Sequence, residues 1–149
     1  IRSGINGRMD TIQAAILLEK LKIFPEELKK RNHISDQYRE LLGSHFICQE
    51  IPNGYESAWA QFSILAEDTA HRSACQERLQ ESGIPTAIYY AKPLHLQMAF
   101  KNLGYEVGDF PIAESIAKRI FSLPMHPYLT DDDINQICDI LITCKEKVQ

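Results

Sequence analysis

The sequence predicts a small two-layer α/β unit, a sheet covered by helices on one side, with a long helix leading into it. Three observations predict this. An apolar stripe with helical spacing lies near the start of the chain. Two short runs, 57–65 and 84–90, have strand character. Capped helix signals occur between and after them. The 149 residues, 44% hydrophobic and 24% charged, are enough for one sizeable core.

The elements follow in order. Over 10–24, Ile12, Ala15, Ile16, Leu18, Leu21 and Phe24 fall at helical spacing and predict a broad buried face. Pro25 lacks an amide hydrogen, so it kinks that helix or opens a second one. The helix resumes over 26–42 with Leu28, Ile34, Tyr38, Leu41 and Leu42 inward, and Gly43 as C-cap. Alternation over 57–65 predicts a strand with Ala58, Ala60, Phe62 and Ile64 on one face and Trp59, Gln61 and Ser63 on the other. The segment 69–82 reads as a helix closed by Gly83. The β-branched and aromatic run 84–90 reads as a strand with Pro85 at its opening. A short helix over 96–103 ends at Gly104, and a turn at 108–111 starts another that runs to about Ile120. Pro124 and Pro127 keep 122–128 extended. Thr130 and three aspartates open a last helix carrying Ile134, Ile137, Cys138 and Leu141, with a fraying tail from Lys145.

Composition excludes several functions. A formal net charge of -4 leaves no basic surplus for nucleic acid. No apolar run approaches the roughly 20 residues of a membrane span. The cysteines at 48, 75, 138 and 144 form no C-x-x-C pair, which fits reduced thiols in an intracellular protein rather than a zinc or redox motif. The five histidines lack metal-ligand spacing, and no metal site is expected. Phosphate-loop, dinucleotide and H-E-x-x-H motifs are absent.

Two segments could carry chemistry. The loop Gly4-Ile5-Asn6-Gly7-Arg8-Met9-Asp10 offers an amide donor and a guanidinium beside a helix start, which suits a phosphate. Taken alone it also reads as a polar turn, with Asp10 capping the helix and Gln13 reaching back. Tyr89-Tyr90-Ala91-Lys92-Pro93-Leu94-His95 gathers two phenols, an ammonium and an imidazole at a strand end, a common ligand position. Half-buried sheet tyrosines and a solvated lysine are the plainer reading of the same residues. A third stretch, Pro124-Met125-His126-Pro127, reads as an extended crossing.

These segments, taken together and in this order, resemble the C-terminal part of the DegT/StrS-type sugar aminotransferases, pyridoxal-phosphate enzymes of aminotransferase fold type I. The likeness rests on G-I-N-G-R-M-D-T-I-Q-A-A-I-L at 4–17 and on Arg31 with Tyr38. It continues through S-G-I-P-T-A and Y-Y-A-K-P-L-H within 82–95, G-D-F-P-I-A-E at 108–114 and S-L-P-M-H-P-Y-L-T at 122–130. It implies linking helices over 1–43, with a cofactor-phosphate loop at 4–10, and a C-terminal small domain over 44–149 built on a mainly antiparallel sheet. It also implies a homodimer in which Asn6 reaches the pyridoxal 5'-phosphate of the other subunit. Arg8 would meet a nucleotide-sugar substrate, and Tyr89, Tyr90, Lys92 and His95 would line the substrate side. Many members of the family carry histidine where Tyr89 stands, so a specific hydrogen bond there does not transfer. The wording at 4–21 and 122–129 is most similar to enzymes that aminate C3 of UDP-linked keto sugars for surface polysaccharide such as lipopolysaccharide O-antigen, with glutamate as amino donor.

The resemblance places the Schiff-base lysine upstream of Ile1, and the absence of an initiator Met fits part of a longer, cytoplasmic protein. Lys20, Lys22 and Lys29 lie on predicted helices in the wrong context for that role. The 149 residues alone should then be catalytically inert. Two other readings stay open at this point: a sugar dehydratase of the same family, with histidine in place of that lysine, and a stand-alone dimerisation module using its apolar first helix.

Overall fold

The structure is a computed structural model that describes residues 7–145, the last by its backbone only. A 32-residue helix, α1 (Thr11–Leu42), opens the fold. β1 (Ile47–Cys48), β2 (Phe62–Leu65), α2 (Thr69–Glu81), two short 3₁₀ turns (Leu94–Leu96 and Met98–Leu103), α3 (Pro111–Arg119), β3 (Ile120–Leu123) and α4 (Asp131–Lys145) follow. The strands form one antiparallel sheet in the order β1-β2-β3. β2 is central, with Phe62 opposite Leu123 and Ile64 opposite Phe121.

Strand alternation explains how the core closes. Phe62, Ile64, Phe121 and Leu123 share one sheet face. They pack against Ile34, Tyr38 and Leu42 of α1, Cys75 and Leu79 of α2, and Ile134, Ile137, Cys138 and Leu141 of α4. Each large side chain removed from water here contributes roughly 1.5–3 kcal/mol before the cost of ordering it. Tyr38 stacks on Phe62 at 5.0 Å between ring centroids, and its hydroxyl donates to the Pro124 carbonyl at 3.1 Å. On the opposite face the Ser63 and Ser122 hydroxyls pair at 2.7 Å.

The caps follow the sequence signals. The Asp10 carboxylate accepts from the Gln13 N–H, and Asp68 accepts from the His71 N–H. Thr130 and Asp133 cap α4 reciprocally: the Asp133 N–H donates to Thr130 Oγ1, and the Asp133 carboxylate accepts from the Thr130 N–H and hydroxyl. Gly83 and Gly104 end their helical segments at positive φ, 73° and 77°, where a Cβ would strain the backbone. Gly43 also caps its helix, for another reason. Its φ is -62°, and a Cβ there would meet the Arg39 carbonyl at 2.6 Å.

The structure corrects several sequence expectations. α1 runs unbroken through Pro25. The stripe from Ile12 to Phe24 is exposed rather than buried, because burial on α1 begins only at Ile34. Leu28 is half-buried and Leu41 is exposed. The strand expected over 57–65 shrinks to Phe62–Leu65, with Ala58 and Ala60 exposed. Trp59 breaks the alternation at φ 46° and turns inward, where its indole N–H donates to Asn32 Oδ1 at 3.0 Å. The run 84–90 forms no strand. It keeps a single bridge, Ala87 to Ser122, because β3 offers it no longer ladder. Part of the extended 122–128 segment, together with Ile120 and Phe121, is itself the strand β3.

Candidate functional site

Three polar arrangements bear on the predicted site. The first is the loop before α1. Asn6 lies outside the described residues. Arg8 is exposed on the approach to the helix. At 1.5 Å rise per residue, the first turn of α1 stands roughly 35 Å along the axis from Ile34, so this loop is held well away from the core. The start of α1 is capped by a side chain of this loop. The Asp10 carboxylate already occupies it, 2.9 Å from the Gln13 N–H, and repels a second anion.

The second arrangement is the segment 87–97. Ala87 exchanges two backbone hydrogen bonds with Ser122 of β3, at 3.1 and 2.8 Å. Beyond this anchor, Tyr89 and Tyr90 are 57% and 66% exposed, and both border a small crevice on the sheet face opposite the core, beside Ser63, Ile120 and Ser122. Lys92 is exposed, and its carbonyl accepts from the Gln97 side chain at 3.1 Å. These groups present two phenols and an ammonium to solvent from a fixed backbone.

His95 behaves differently. Its side chain is 8% exposed and meets Glu114 Oε1 at 3.1 Å, with Glu114 itself 12% exposed. The same carboxylate oxygen accepts the Gly108 N–H at 2.8 Å and the Phe110 N–H at 3.4 Å. The Gly108 hydrogen bond is the largest influence holding the Glu114 carboxyl below the ordinary carboxylate range, and the His95 contact adds to it. An ionised carboxylate only accepts, so His95 Nε2 carries the proton that is shared. The imidazole also packs on Phe110 at 4.7 Å. No role was read for Glu114 from sequence. The available signal was a carboxylate three residues after the proline that opens α3, able to reach back over the helix start.

The third arrangement is a cleft of about 560 Å³ between α1 and the start of α4, lined by Lys29, Lys30, His33, Tyr128 and Asp131. Its charges are largely engaged. Lys29 pairs with Glu26 at 2.9 Å, and Lys30 lies 5.8 Å from the Tyr128 ring centroid. A second cleft of about 620 Å³, beside α2, is lined by Ser73, Gln76, Glu77, Gln80 and Thr86 and carries no cation. Neither contains a residue expected at the site.

Every lysine with a described side chain is exposed. Among the described residues no group of three or more histidine, cysteine or acidic side chains could hold a metal ion, and no helix is long and apolar enough to cross a membrane. The thiols of Cys75 and Cys138 are buried, and burial pushes Cys138 up to about 12. They are packing groups rather than nucleophiles.

The sequence profile of the DegT/DnrJ/EryC1/StrS aminotransferase family matches residues 1–142. UDP-2-acetamido-2-deoxy-3-oxo-D-glucuronate aminotransferase of Pseudomonas aeruginosa is 39% identical over 146 residues, covering 95% of this chain and 38% of that protein. A crystal structure of a DegT DnrJ EryC1 StrS aminotransferase from Brucella abortus is similar at 47% identity and a TM-score of 0.84, over 96% of this chain and 38% of that one. Spr1654 of Streptococcus pneumoniae, assigned as a sugar aminotransferase and solved in its PMP-form, gives 29% identity and a TM-score of 0.85, over 95% of this chain and 36% of that one. The chain thus spans well under half the length of these relatives.

Proposed function

The chain belongs to the DegT/DnrJ/EryC1/StrS aminotransferase family, and from that premise we propose that it serves within a pyridoxal-phosphate-dependent aminotransferase acting on a keto sugar carried by a nucleotide. The observation that carries this reading is the 39% identity, over nearly the whole chain, to an enzyme whose name specifies a UDP-linked 3-oxo sugar. On this reading residues 1–43 link to the rest of the enzyme and 44–149 form its small domain. Glutamate supplies the amino group, and the product enters surface polysaccharide in the cytoplasm.

The cofactor, when bound, supplies the electron sink for moving the amino group. The chain's own residues bind and orient. The Asn6 amide donates to the cofactor phosphate across a homodimer interface. Arg8, a planar and permanently charged donor, meets the diphosphate of the nucleotide. Tyr89, Tyr90 and Lys92 face the sugar from their anchored segment. The exposed apolar stripe of α1 supports a larger assembly, because a run of that kind is ordinarily covered. The reactive lysine comes from sequence outside this chain.

The test is the full-length enzyme with pyridoxal phosphate, a UDP-linked 3-keto sugar and glutamate. An amino sugar should form, and glutamate alone should change the absorbance of the bound cofactor. Asn6→Ala should weaken cofactor retention, and Arg8→Ala should mainly raise the KM for the sugar nucleotide. A product that has lost a hydroxyl without gaining an amine would replace this reading with dehydration. Unchanged behaviour of both variants would remove the two residue assignments.

A further inference from the structure

The segment that presents Tyr89, Tyr90 and Lys92 is held at both ends, and the two fastenings differ. At one end Ala87 is stitched to β3 by backbone hydrogen bonds. At the other, His95 meets the side chain of Glu114, which lies on a different element and gathers the Gly108 and Phe110 amides on the same oxygen. The carboxylate therefore does two jobs. It satisfies amides at the start of α3, and it fixes the imidazole that terminates the tyrosine segment. Phe110 closes the arrangement by packing on the His95 ring and, at 5.1 Å, on Tyr105. Without this fastening, the backbone from 88 to 94 would depend on the Ala87 bridge, on Ile88 packed against the core, on the Gln97 side chain bonded to the Lys92 carbonyl and on the local 3₁₀ turn.

We propose that Glu114 is a positioning residue for substrate binding: through the His95 imidazole it holds the Tyr89–Lys92 stretch in the orientation that meets the sugar nucleotide. This rests on the function proposed above, and it moves His95 from the substrate-contacting set to the fastening. The side chain spends its Nε2 proton on Glu114 and is nearly buried, whereas Tyr89, Tyr90 and Lys92 remain open to a ligand.

Two measurements test the proposal. The first is amide hydrogen exchange on the full-length enzyme without substrate. In Glu114→Ala, exchange of the Leu96 and Gln97 amides, which bond back to the Pro93 and Leu94 carbonyls, should accelerate at least tenfold while α4 stays at the wild-type rate. Glu114→Gln keeps the acceptor oxygen and should recover most of the protection. If Glu114→Ala loosens the whole core instead, His95→Ala decides the matter, because it leaves the Gly108 and Phe110 amides paired and should still speed exchange at Leu96 and Gln97. Wild-type exchange at Leu96 and Gln97 in His95→Ala would overturn the proposal.

The second measurement uses the full-length enzyme. Glu114→Ala should raise the KM for the sugar nucleotide about tenfold, change kcat less than threefold, and leave cofactor absorbance as in wild type. Glu114→Gln should restore most of the KM. Faster exchange with an unchanged KM would overturn the positioning role. A wild-type enzyme that transfers no amino group to a sugar nucleotide would sink the functional reading, and the exchange data would still report on the fastening.

Discussion

The two halves of α1 have opposite fates, and the half richer in apolar residues is the exposed one. Toward its C-terminus Ile34, Tyr38 and Leu42 are buried against the sheet and α4, and Arg31 and Asn32 bond to Trp59. Toward its N-terminus Ile12, Ile16, Leu18 and Leu21 stand in solvent, with Ile12 75% exposed. Helical periodicity reports that a face is made to be covered. It carries no information about which polypeptide covers it. The C-terminal half finds its cover within these residues; the N-terminal half does not. Pro25 sits near the change of role. Its ring cannot donate to the Leu21 carbonyl, so the ladder is weakened between the two halves.

The largest expected effect tests the docked half. Tyr38→Ala should lower the stability of the unit by roughly 3–5 kcal/mol, read from urea denaturation. A loss much smaller than this would mean that the C-terminal half is no more integral than the exposed one. Pro25→Ala should strengthen α1 by up to about 3 kcal/mol locally, seen as greater helical ellipticity and slower amide exchange around 21–29. If exchange there does not change, the proline is not a point of weakness and the boundary between the halves lies elsewhere.

A smaller effect concerns α4, on which the docked half rests. Thr130→Ala removes the hydroxyl that caps it and should cost about 1 kcal/mol, again by urea denaturation. The companion carboxylate makes the same cap sensitive to acid. Hydrogen bonds from Thr130 hold Asp133 below its ordinary range, so its contribution is complete above that range and is lost as pH falls through the lowered folded value. Thr130→Ala should therefore flatten the acid side of the stability profile. The smallest effect belongs to the exposed half. Replacing Ile16 and Leu18 by glutamine should change stability by no more than about 0.5 kcal/mol per site, while weakening any self-association seen by sedimentation. A stability loss like that of Tyr38→Ala would show that the stripe is part of the core after all.

How much of this was legible in the sequence follows the range of the forces involved. α2, α3 and α4 were readable because their signals are local: Gly83 at the end of one helix, Pro111 at the start of another, Thr130 and Asp133 at the last. Strands were not, because pairing is long-range. The run 84–90 has strand composition, yet only Ala87 finds a partner. Alternation over 57–65 is correct for Phe62 and Ile64 and wrong at Trp59, where two bonds to α1 outweigh the pleat. The same distinction governs the candidate site. Tyr89, Tyr90 and Lys92 were visible as a cluster of chemistry in sequence. The pairing of His95 with Glu114 crosses elements and emerged only in three dimensions.

Trp59 is the only tryptophan in the chain and is 3% exposed, clasped between the docked half of α1 and the start of β2. The protein thus contains its own optical gauge. Intrinsic fluorescence reports the seating of one helix segment, without label or substrate, and a shift of its emission to the red marks the moment that segment lifts away.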